Sequence, residues 1–66
     1  MDKLRTKIRE VYGTEGKFAE AIGLTKSGLS MKLRGERGWS FKQIMTAQRL
    51  LDIPYDQVEA YFGGGA

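Results

Sequence analysis

The chain has 66 residues, a net charge of +3 at neutral pH, 41% hydrophobic and 29% charged residues, a balance that fits one globular domain and not a disordered or fibrous chain. It has no cysteine and no histidine, which excludes a disulfide framework, a thiol nucleophile, a Cys/His zinc site and any catalytic dyad or triad that needs imidazole. No apolar run approaches the roughly 20 residues of a membrane-spanning helix and no signal peptide is visible, so the expectation is a cytoplasmic protein that is not an enzyme and has no metal, cofactor, small-molecule ligand or membrane partner.

Helical periodicity dominates from the start. Asp2 is placed to cap a first helix, whose apolar stripe is Leu4, Ile8 and Val11, spaced i, i+4 and i+7. Lys3, Lys7 and Arg9 read as a solvated face. Tyr12-Gly13 ends this helix, Gly13 suiting the left-handed turn that follows. Thr14 caps a second helix with Phe18, Ala19 and Ile22 on its apolar face, stopped at Gly23. Thr25 or Ser27 caps a third, with Leu29 and Leu33 on its inner side. Arg34 to Gly38 is a polar, glycine-punctuated loop. Ser40 and Gln43 match a capping box, opening a fourth helix that buries Phe41, Ile44, Ala47 and Leu51. Pro54 breaks it, having no N–H and disfavouring helical geometry at Ile53. A fifth helix is predicted over Tyr55–Phe62. The domain is thus expected over residues 1–62, with 63–66 a flexible, vector-like tail.

Charge is unevenly placed. Residues 24–49 hold Lys26, Lys32, Arg34, Arg37, Lys42 and Arg49 against Glu36 alone, while residues 50–66 hold Asp52, Asp56 and Glu59 and no base. The first of these stretches suits a polyanion. The expected core is Phe18, Ile22, Leu29, Leu33, Phe41, Ile44 and Leu51. Trp39 reads either as a cover on that core or as a stacking group, the first being preferred. Ser27 and Ser30 read as surface hydroxyls, since no suitable general base accompanies them.

The most informative stretch is residues 15–34. Two short helices are joined by Gly23-Leu24-Thr25, with small Ala19 four residues before the glycine and Leu29 six after it. Small, glycine and apolar residues at this spacing mark a helix-turn-helix. Residues 17–35 resemble the helix-turn-helix of the phage Cro/CI-like repressors, the XRE family, and residues 3–62 resemble that family's layout more loosely. Ala19, Gly23, Leu24 and Leu29 fall on its structural positions. The fold this implies is all-α, a five-helix lambda-repressor-like DNA-binding domain.

The resemblance further implies that residues 25–34 form a recognition helix in the major groove of double-stranded DNA. The site residues it implies are Lys17, Thr25, Lys26, Ser27, Gly28, Ser30, Met31, Arg34 and Arg37. Lys26 would reach guanine or a phosphate, Ser27 and Ser30 base edges, and Met31 a thymine methyl. Gly28 would let the helix sit deep. Arg34 and Arg37 suit phosphates, as do amides near Thr14–Lys17 and Ser40–Lys42. Apolar residues Tyr55, Val58, Tyr61 and Phe62 form the expected self-association patch of a homodimer, which would span two half-sites about 34 Å apart. The function implied is a Cro-like repressor of a phage genetic switch acting by operator occlusion. The alternative is an antirepressor, a modulator that turns the same fold onto a partner repressor. A non-specific nucleoid-type binder is disfavoured by the moderate charge.

Overall fold

A computed structural model describes residues 2–62. The expected tail at 63–66 lies outside the described residues. Five α-helices and one 3-10 turn follow in order: α1 Asp2–Tyr12, α2 Glu15–Ile22, α3 Lys26–Leu33, α4 Phe41–Leu50, the 3-10 turn Tyr55–Gln57, and α5 Val58–Phe62. There is no strand among the described residues. The fold is all-α, and α2, its turn and α3 form a helix-turn-helix-like pair.

Local chemistry sets the boundaries. The hydroxyls of Thr14, Thr25 and Ser40 accept from the backbone N–H three residues on, at 3.2, 2.9 and 3.1 Å. Each satisfies one of the amides that a helix start leaves free. The capping box is complete, since the Ser40 N–H also donates to Gln43 Oε1 at 3.0 Å. Asp2 stands in the first turn of α1 itself, where a carboxylate favours the positive end of the helix dipole. At the other ends, Gly13 and Gly23 adopt φ of 84° and 81°. The reversal at Gly23 lets the Leu24 N–H donate to the Ala19 carbonyl at 2.8 Å, which closes α2 and starts the turn. After α4 the left-handed position is Asp52, with φ 53°. There the Ile53 N–H donates to the Gln48 carbonyl at 3.0 Å, and the Gln48 side-chain amide donates to the Ile53 carbonyl at 2.6 Å. This pair ties off the corner ahead of Pro54.

One core holds the helices together: Leu4, Ile8, Phe18, Ala19, Leu29, Leu33, Ala47, Leu51, Ile53 and Phe62. Helix α2 packs on α1, α3 and α4, and α5 closes over α1 and α4. The rings of Tyr12 and Phe18 meet edge-on at 5.3 Å. Lys3 Nζ lies 4.8 Å from the Tyr61 ring centroid, a cation–π contact joining the first and last helices. No helix among the described residues is long and apolar enough to cross a membrane.

Two expectations about the core are corrected, and one further residue joins it. Val11 is 47% exposed, and Tyr12 takes its place because the α1–α2 corner presents Phe18 to that side. Phe41 is 77% exposed. At about 100° per residue it points roughly 90° away from the stripe of Ile44, Ala47 and Leu51, so the first turn of α4 carries it past the core. Ile53 is buried, although only its place before Pro54 drew notice in the sequence. Ile22 and Ile44 are half-buried against the core. Trp39 covers the core as preferred, its ring edge-on to Phe62 at 5.2 Å. Phe41→Ser is expected to change stability by less than about 0.5 kcal/mol, as read from denaturant unfolding. A loss of 2 kcal/mol or more would mean that the ring is buried after all.

Candidate nucleic-acid interface

The geometry of α3 follows from two leucines. Leu29 and Leu33 are buried in the core, and both lie on the side of α3 that meets α2. With about 100° between successive residues, Met31 points away from them, flanked by Ser27 and Arg34, with Ser30 at the edge of that arc. Lys26, Ser27 and Arg34 are exposed, while Ser30 and Met31 are half-buried. Of the expected outward stripe, Ser27, Met31 and Arg34 share one side of α3 with Ser30 at its edge, whereas Lys26 falls nearer the leucine side. Lys26 reaches solvent because it occupies the first position of the helix.

Thr25 and Gly28 act together. The Thr25 hydroxyl is taken up by the Gly28 N–H, and a Cβ on Gly28 would come within 3.0 Å of that oxygen. The bare glycine leaves room for the cap, a local reason for its presence that is independent of how deep the helix sits in any groove.

The loop after α3 is fastened at both ends. Gly35, at φ 80°, turns the chain. The N–H groups of Glu36 and Arg37 both donate to the Met31 carbonyl, at 2.9 and 3.4 Å. Arg37 and Lys17 are exposed. The backbone amides of Phe41 and Lys42 open α4 without an intrahelical acceptor, next to the Lys42 side chain.

Two ion pairs shape the electrostatics. Arg9 meets Glu15 at 3.3 Å, occupying the carboxylate in the first turn of α2. Arg34 Nε meets Glu36 at 2.8 Å with both side chains about half exposed, so the pair contributes at most about 1 kcal/mol. Among the described residues, Lys17, Lys26, Arg37, Lys42 and Arg49 have no acidic partner within ion-pair distance. The one acid of the basic segment is thus engaged, and most of its cations are free.

The chain length over which this arrangement extends coincides with a known family. The family model described as "Protein of unknown function (DUF739)" matches residues 1–64. The chain belongs to the DUF739 family. No curated protein matches it.

In this DUF739 chain the expected self-association patch is not a free surface. Phe62 is only 8% exposed and belongs to the core. Val58 and Tyr61 are partly buried against that core, Tyr61 beneath Lys3. Of the four residues, Tyr55 alone is open, at 74% exposure. A 66-residue chain needs its last helix to close its core, and α5 spends its apolar side there.

Proposed function

We propose that this DUF739 protein is a sequence-specific DNA-binding transcriptional regulator, a Cro-like repressor acting by operator occlusion. The observation that carries this reading is the two-sidedness of α3. Its leucines anchor it in the core, while exposed Ser27, half-buried Met31 and exposed Arg34 lie on the opposite side. Lys26 is exposed at the helix start, and Arg37 and Lys42 nearby in sequence have no acidic partner among the described residues. Such a helix fits a major groove, which admits one α-helix and offers base edges to Lys, Ser and Met. Arg34, Arg37, Lys17 and the first amides of α4 are of the kinds that grip phosphates.

The chain extends 26 Å along its longest axis, less than the roughly 34 Å between successive half-sites on one face of DNA. Reading a palindromic operator therefore takes two copies, and the proposed partners are duplex DNA and a second copy of this chain.

Selection of bound sites from a random duplex pool tests this directly. A recovered motif with two-fold symmetry is the expected result. Failure to retain any duplex at low salt, where phosphate contacts are strongest, would refute DNA binding. Glu36→Gln is expected to tighten DNA binding by about two- to tenfold, because it frees Arg34 and removes a like charge facing phosphate. Titration of labelled duplex at fixed salt measures it, and weaker binding would show that the carboxylate holds Arg34 in a productive place.

One observation favours a second reading. Phe41 is a large, open aromatic side chain at the start of α4, directly after the basic loop. Exposed aromatic groups are enriched in protein contacts, so a partner repressor is the alternative ligand of this face. Co-purification with such a partner, together with absent DNA binding, would select it.

A further inference from the structure

Lys32 belongs to α3 yet stands off its outward face, and its ammonium has two partners inside the molecule. Lys32 Nζ donates to the Gly38 carbonyl at 2.8 Å, and it lies 5.7 Å from the centroid of the Trp39 ring. Trp39 in turn meets Phe62 of α5 edge-on at 5.2 Å. One cation thus connects the third helix, the far end of the loop and, through the indole, the C-terminal helix. The near end of the loop is closed by backbone bonds to Met31 and by the Gly35 N–H donating to the Lys32 carbonyl at 3.2 Å. The indole has no hydrogen bond of its own, since Trp39 Nε1 is buried without a partner. What keeps residues 35–39 in place at their far end is therefore the packing of Trp39 on the core, Phe62 included, together with the Lys32 ammonium on the Gly38 carbonyl.

We propose that Lys32 is a positioning residue for nucleic-acid binding, holding the loop so that Arg34 and Arg37 are presented in a fixed geometry while its own charge stays on the protein. This rests on the DNA-binding reading above. The loop carries Gly35 and Gly38, the residue type that loses most freedom on ordering. A loop left untethered would have to be ordered at the moment of binding, at a cost in affinity. A hydrogen bond from an ammonium is stronger than a neutral one, and the indole face adds attraction for the same cation. Lys32 therefore differs from the other bases of residues 24–49. It acts on the nucleic acid through the loop, without neutralising a phosphate.

The test compares the wild-type chain with Lys32→Met, which keeps a stem over Trp39 and removes the ammonium, and with Lys32→Arg, which keeps a cationic donor. Trp39 is the single tryptophan, so acrylamide quenching of its fluorescence reports the loop in the protein alone. Binding to a short labelled duplex of mixed sequence, over a range of salt, reports the contact with phosphates. In Lys32→Met, quenching is expected to rise with the helical circular dichroism retained. Its affinity is expected to fall about tenfold with the salt slope of the wild type, and Lys32→Arg is expected to restore both readouts. Unchanged quenching in Lys32→Met, or a salt slope reduced by about 0.9, the mark of one lost phosphate contact, would overturn the proposal while leaving DNA binding intact. A wild-type chain that ignores the duplex at every salt concentration would overturn the DNA-binding reading and, with it, the role given to Lys32. Were Lys32→Met to lose its helical signal, Lys32→Arg decides: wild-type quenching and affinity support the tether, and a loss of either overturns it.

Discussion

Phe18→Ala is expected to take away more than half of the chain's stability. Phe18 is the largest of the fully buried side chains, it sits on the helix that touches α1, α3 and α4, and its ring meets Tyr12 edge-on. Truncating such a residue costs about 3–5 kcal/mol, the lost transfer energy plus the cavity left behind. A domain of this length has about 3–10 kcal/mol in total, at 0.05–0.15 kcal/mol per residue. At the middle of both ranges, about 4 of about 6.5 kcal/mol, the deletion removes more than half of the stability. Denaturant unfolding followed by far-ultraviolet circular dichroism checks this, with the variant expected to show a midpoint less than half that of the wild type. A cost below about 1.5 kcal/mol would mean that the neighbouring side chains refill the space and that α2 is not the hub of the core.

Lys26→Ala is expected to move binding and stability in opposite directions. Lys26 is exposed at the first position of α3, immediately after the Thr25 cap. A cation there opposes the helix dipole, so removing it should raise stability by about 0.3–0.5 kcal/mol. In the DNA-binding reading the same change removes a donor to a base edge, weakens binding to the selected operator by about 1–3 kcal/mol and relaxes preference at one position. Arg34→Ala should act differently, weakening all sequences alike and lowering the salt slope by about 0.9. Paired thermal melts and binding titrations over several operators separate these outcomes. If Lys26→Ala and Arg34→Ala both bind as the wild type does, α3 is not the reading helix.

The start and stop signals were legible because they depend on neighbours in sequence. Thr14, Thr25 and Ser40 each bond an amide three residues on, and the glycine after each of the first two helices takes the positive φ that other residues resist. Leu29 and Leu33 were readable as anchors for the same kind of reason, since a four-residue spacing returns to one side of a helix. Much of the candidate interface follows from those anchors, because fixing one face of α3 fixes the other. What stayed illegible needed knowledge of where a helix ends relative to the core. Phe41 looked like the first residue of a buried stripe. Phe62 looked available for a second copy of the chain. Neither residue's own neighbourhood in sequence says otherwise, since an aromatic ring at the end of a helix suits a core and an open surface equally well.

By itself the sequence determined the five-helix order, the caps, the Gly23 corner and the basic middle segment, all of which are set by contacts within a few residues or by composition. That α5 closes the core through Phe62, that Phe41 stands open and that Lys32 bonds to Gly38 beside Trp39 emerges from the packed fold alone. These depend on helix packing, in which side chains distant in sequence compete for the same small volume. A 66-residue chain has room inside for only some of its aromatic rings, and the packing chooses which.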